Sequence, residues 1–167
     1  MKKGCFIFLM FVASACYSQT ERKFDFLLSA QYNHTLQDQY PFYKTGIAGL
    51  GFQVFYSLKN QLRPTLEVNA DLFKEEGIGA ADAPTYENHL RPSVCVGLSY
   101  YPVDRFFIAA AAGPHFFENT HLGVKSSLGY YLGKKVLIRT SYTNVFQGEG
   151  NLNKDLGYLS FALAFKL

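Results

Sequence analysis

The chain has 167 residues and a formal net charge of +3; 49% of residues are apolar and 17% aromatic, but only 17% are charged, against about a quarter in ordinary soluble domains. The length suits one domain, and no compositional shift marks a linker. Removing Lys2 and Lys3 with a leader brings the charge to about +1, which excludes nucleic acid as an expected partner.

Met1-Lys2-Lys3 is a basic start, and Gly4 to Val12 is an apolar run too short to span a bilayer as a helix. Small residues follow, so residues 1–18 read as a secretory signal peptide and residues 19–167 as the mature domain. Cleavage fits after Ala15 or after Ser18, and the second, leaving Gln19 first, is preferred. Cys16 raises a lipoprotein reading, but Ala13 stands where a lipobox usually has Leu. Cys95 then has no partner, which excludes an internal disulfide framework. Beyond the leader no apolar stretch reaches about eighteen residues, so a membrane-spanning form of this chain must be a closed barrel.

From Arg22 onward the pattern has period two, over eight segments. The first sets Phe24, Phe26, Leu28, Ala30 and Tyr32 against Lys23, Asp25, Leu27, Ser29, Gln31 and Asn33. The second opposes Leu50, Phe52, Val54 and Tyr56 to Gly49, Gly51, Gln53 and Phe55. The third opposes Leu62, Leu66, Val68 and Leu72 to Arg63, Glu67, Asn69 and Asp71, and the fourth Leu90, Val94, Val96 and Leu98 to Arg91, Ser93, Cys95 and Gly97. In the fifth, Phe106, Ile108 and Ala110 alternate with Phe107, Ala109 and Ala111; in the sixth, Val124, Leu128 and Tyr130 alternate with Lys125, Ser127 and Gly129. The seventh is the weakest, with Val136, Ile138, Thr140 and Tyr142 opposite Leu137, Arg139 and Ser141. The eighth is the clearest: Leu159, Phe161, Leu163, Phe165 and Leu167 alternate with Tyr158, Ser160, Ala162, Ala164 and Lys166.

Short turns near Lys59-Asn60, Pro102-Val103-Asp104 and Gly133-Lys134-Lys135 alternate with longer polar loops at Thr35 to Lys44, Lys74 to Asn88, Phe117 to His121 and Gln147 to Asp155. Membrane barrels show this asymmetry, with tight periplasmic turns and longer outer loops. The expected fold is therefore all-β, an eight-stranded antiparallel up-and-down transmembrane barrel with both termini periplasmic.

A soluble lipocalin-like binder would share the period but turn its apolar face inward. The many Gly and Ala residues on the polar face argue against it, because a narrow interior needs small side chains to make room for large ones. Asp25, Arg63, Glu67, Asp71, Arg91, Lys125 and Arg139 share the expected interior, with Lys166, and are expected to form an ion-pair and hydrogen-bond network. Phe24, Phe26, Tyr56, Tyr100, Phe106, Tyr130 and Phe165 mark one aromatic girdle, and Tyr32, Phe116 and Tyr142 the other. Pro64, Pro92 and Pro114 are expected at bulges or rims, since Pro donates nothing to a ladder.

The last segment, Gly157 to Leu167, resembles the carboxy-terminal signal of Gram-negative outer-membrane barrels: a Gly, then Phe161, Leu163, Phe165 and Leu167 in alternation. The whole mature chain is similar to the small eight-stranded OmpA-type and OmpX-type family, and its high Tyr and Phe content without Trp looks most like members from Bacteroidota. The resemblance implies a cell outer membrane location, contact with lipid and lipopolysaccharide, and insertion by the barrel assembly machinery reading the final strand.

Some barrels of this size are enzymes acting on lipid A, with a His-x-Ser arrangement on one strand face. Here His121-Leu122-Gly123 puts Gly at the Ser position, so no catalytic residue is carried over; His115, Ser126, Ser127 and Ser141 remain unassigned, and His115 reads as an interior or rim residue. The histidines His34, His89, His115 and His121 lack ligand-like spacing, so neither metal nor cofactor is expected. An interior crowded with charge argues against a porin. The expected role is structural or surface-interacting, with Tyr40-Pro41-Phe42-Tyr43 and the Glu75, Glu76, Asp82 and Tyr86 stretch offering loop contacts to an extracellular partner.

Overall fold

A computed structural model describes residues 24–36, 43–57, 61–78, 84–116, 119–146 and 155–167, without the side chains of 43–47, 75–78 and 84–87. The signal peptide, its cleavage site, Cys16, Lys23 and the aromatic stretch at 40–42 lie outside the described residues.

Eight strands form: β1 (Phe24–Thr35), β2 (Tyr43–Tyr56), β3 (Leu62–Ile78), β4 (Pro84–Val103), β5 (Phe106–Phe116), β6 (Thr120–Leu132), β7 (Val136–Phe146) and β8 (Leu156–Lys166). Each pairs antiparallel with the next, and β8 pairs with β1, closing the sheet into an up-and-down barrel. Around the barrel the partners run Asp25, Phe55, Thr65, Gly97, Ala111, Lys125, Thr143, Tyr158 and back to Thr35, ten residues from the start. That stagger tilts the strands by about 40° and leaves an interior only wide enough for side chains.

Closure satisfies the backbone without water, which is the condition for crossing hydrocarbon. Alternation then sorts the side chains. Asp25, Ser29, Gln31, Glu67, Asn69, Asp71, Lys125 and Arg139 are buried, while Leu50, Val96, Leu98, Leu122, Phe161 and Leu163 are exposed on the outer wall. Greasy residues therefore face out and polar ones in, the reverse of a soluble binder. Most of the expected girdle follows: Phe24, Tyr100, Tyr130 and Phe165 are exposed toward the end carrying the chain termini, and Tyr32 and Phe116 toward the opposite, loop end, while Tyr142 stands nearer mid-wall, in register with Ser126.

Short turns and termini share one end. The β6–β7 turn depends on Gly133, whose φ of 88° is a left-handed value that a side chain would oppose. The loop expected over Lys74 to Asn88 is corrected: β3 and β4 continue pairing from Lys74↔Asn88 to Ile78↔Pro84. Beyond the bilayer neither face has to be apolar, so the period-two signal fades although the hydrogen-bonded ladder goes on. The prolines divide: Pro64 and Pro114 stand two residues from the ends of β3 and β5, at the expected rims, whereas Pro92 lies well inside β4. Pro92 sits opposite Ala70 in unshifted register, and the β4–β5 ladder passes Pro92 and Pro114 by skipping from Ser93↔His115 to Val96↔Ala112 at constant register.

Candidate functional site

The inward face of β3 carries the barrel interior in order, from Arg63 at the terminal end through Thr65, Glu67, Asn69 and Asp71 to Phe73 at the loop end. Three polar groups and two apolar layers are built around it.

At the terminal rim, Asp25 on β1 meets Arg63 at 3.3 Å and Lys166 on β8 at 2.6 Å. The Arg63 guanidinium also lies over the Tyr101 ring, 4.0 Å from its centre. Above this rim Leu27, Phe55, Tyr101, Phe107, Tyr131 and Leu137 form a buried apolar layer. Phe55 meets Tyr101 and Phe107 edge-on, with ring centres 6.4 and 5.9 Å apart, while Tyr101 and Tyr131 stand tilted against Phe107. Gly129 makes the room: a β-carbon there would overlap the Phe107 ring.

The central group joins strands that are far apart in sequence. Glu67 receives Lys125 Nζ at 2.8 Å and stands 3.3 Å from Arg139 Nη1. Gln53 completes a ring of contacts, its Nε2 donating to Glu67 at 2.7 Å while its Oε1 accepts from Arg139 at 2.8 Å. Glu67 is 1% exposed and Arg139 2%, so the carboxylate has exchanged water for two cations and an amide. Such burial costs several kcal/mol per ion unless the pairing is complete, which is why the polar side chains converge.

Nearer the loop end Asp71 accepts from Gln31 and from Asn33, the latter at 2.7 Å, and from the Tyr158 hydroxyl at 3.4 Å. Arg91, buried opposite Asp71 on β4, lies over the Phe73 ring with its guanidinium carbon 5.0 Å from the ring centre. Phe73, Val145, Leu156 and Tyr158 then form a second apolar layer.

All seven residues expected on the interior face lie there. Asp25 pairs with Arg63, and Glu67 with Lys125 and Arg139, while Asp71 and Arg91 face each other in register. Sequence reasoning missed the amides Gln31, Asn33 and Gln53 as members, and both apolar layers. The signal was present in Leu27, Phe55, Phe107 and Leu137, large residues on the otherwise polar face.

The final strand places Phe161, Leu163 and Phe165 on the outer wall, with Gly157 buried against Tyr142. The Leu167 N–H donates to the Phe26 carbonyl at 3.0 Å, holding the carboxy-terminal residue against β1. His115 is buried, its Nε2 3.8 Å from Cys95 Sγ, and Gly123 gives its ring space. Ser126 faces outward, and Ser127 and Ser141 pair with each other on the inner face. From His121 to Ser126 is about 16 Å along β6 at ~3.3 Å per residue, so the strand does not bring them together.

No family model matches the sequence, and no curated protein matches it. The fold is similar to solved barrels. Ail, the attachment invasion locus protein of Yersinia pestis, superposes with a TM-score of 0.58 at 11% identity, covering 86% of this chain and 97% of Ail. It has also been solved in complex with the heparin analogue sucrose octasulfate. Neisserial surface protein A gives a TM-score of 0.53 at 14% identity over 87% of this chain and 97% of its own. The N-terminal β-barrel domain of Pseudomonas aeruginosa OprF gives 0.51 at 11% over 86% and 97%. This chain has the small eight-stranded outer-membrane barrel fold.

Proposed function

We propose that this protein is an integral outer-membrane barrel whose interior is packed with side chains and closed to solutes, and whose role is structural or surface-interacting. The supporting observation for closure is the alternation of ion-paired and apolar layers along the axis: the Phe55 and Phe107 layer lies on one side of Glu67 and the Phe73 and Leu156 layer on the other. A solute path would have to displace aromatic rings and strip Glu67 of its cations.

The surface role rests on strand length. A tilted strand needs about 9–11 residues to cross hydrocarbon, whereas β3 has 17 and β4 has 20. The excess forms an arm at the loop end, and with periplasmic termini that arm stands outside the cell. Ail, an outer-membrane protein of similar fold, has been solved in complex with a heparin analogue, and we read the arm here as the element that meets an external ligand. Residues 1–18 serve as the export signal, the final strand from Gly157 is the segment read by the assembly machinery, and lipopolysaccharide surrounds the loop end.

Proteinase K added to intact cells tests the orientation. Cleavage is expected within residues 74–88, leaving a protected barrel fragment. An arm cut only after the cells are opened would overturn the reading.

A further inference from the structure

The outer wall is not uniformly greasy. Where β6, β7 and β8 meet, Ser126 and Thr140 stand among Leu128, Tyr142 and Leu159 and leave a groove of about 350 Å³ in the middle of the apolar belt. On the β5 side Ser126 is flanked in register only by the small Ala110, while Tyr142 on β7 forms a wall of the groove. In a bilayer such a notch loses packing contacts unless a flexible chain occupies it.

The foot of the same face is basic. Lys134 and Lys135 are both exposed in the turn joining β6 to β7, and the Lys166 N–H donates to the Lys135 carbonyl at 2.7 Å, bracing that turn beside β8. Arg105 stands next to it, its carbonyl accepting from the Tyr131 N–H at 2.8 Å. Among the described terminal-end turns the one acidic residue is Asp104. From Val136 to Thr140 the strand rises about 10 Å along the barrel axis, so turn and groove are spaced as headgroup and acyl chain are.

We propose that this face holds an anionic phospholipid of the inner leaflet, with its headgroup on Lys134 and Lys135 and one acyl chain in the groove. The proposal rests on insertion with the terminal end periplasmic. Charge complementarity names the occupant: a second copy of the chain would bring a second set of lysines to the same foot.

The chain contains no Trp, so one introduced indole reports its own surroundings. Leu128→Trp at the groove, Tyr142→Trp as a second reporter there, and Leu50→Trp on a different face are placed in phosphatidylcholine vesicles containing a minor fraction of phosphatidylglycerol. Either lipid carries the brominated acyl chains. At the groove, brominated phosphatidylglycerol is expected to quench at least about fivefold more per molecule than brominated phosphatidylcholine, the ratio that one interfacial lysine already implies. Lys134→Glu with Lys135→Glu should abolish that excess, and Leu50→Trp should show none. Equal quenching by the two lipids at the groove, or the same excess at Leu50→Trp, overturns the proposal. Groove reporters shielded from both lipids while Leu50→Trp is quenched would show protein contact instead and also overturn it. Failure of membrane insertion reads differently, as no quenching at any of the three positions.

Discussion

At the scale of single residues, Glu67 carries the interior. It joins β3 to β6 and β7 across the barrel, and removing its charge leaves Lys125 and Arg139 buried without that counter-ion. Glu67→Gln should lower unfolding stability by about 3 kcal/mol, read from the urea midpoint in vesicles; a change below about 0.5 kcal/mol would mean that the pairing contributes nothing. Gly129 carries the apolar layer in the opposite sense, by what it lacks. Gly129→Ala puts a methyl group into the Phe107 ring and should cost about 1–3 kcal/mol in the same assay. That Arg63, Glu67 and Lys125 face inward was legible because alternation fixes a face. Which of them touch was not, because partners across an interior depend on the stagger of eight strands. The apolar layers were missed for a related reason: Phe55 among Gly49, Gly51 and Gln53 looks like an exception to a polar face until neighbouring β1 brings Leu27, and β5 across the interior brings Phe107, beside it.

At the scale of elements, the eight strands and the short turns at 102–104 and 133–135 were readable from period two and Gly, Pro and Asp placement, while the turn expected at Lys59-Asn60 lies outside the described residues. The outer ends of β3 and β4 were not. On the proposed reading alternation is imposed by lipid on one side and a filled interior on the other, and it stops where both constraints stop, at Lys74, although pairing runs on to Ile78. The eighth strand was the clearest because its outward residues Phe161, Leu163, Phe165 and Leu167 are all large, apolar and exposed. Leu163→Arg places a guanidinium on that wall and should cost about 2–4 kcal/mol of stability in vesicles, whereas Asp104→Arg, in an exposed turn, should stay within about 1 kcal/mol. Equal costs at the two positions would remove lipid from the explanation.

For the whole molecule, one sorting rule explains the composition, the layered interior and the likeness to Ail and Neisserial surface protein A at 11–14% identity. Many sequences satisfy that rule, which is why the fold was legible and a partner was not. The proposed surface role puts partner choice at the outer ends of β3 and β4, where alternation no longer constrains the residues. The most direct measurement is cell fractionation followed by electrophoresis with and without heating. The protein should be recovered from the outer membrane and migrate differently before and after boiling, as a closed barrel gives way to an extended chain. Recovery in the periplasmic extract, with identical migration in both lanes, would contradict the account.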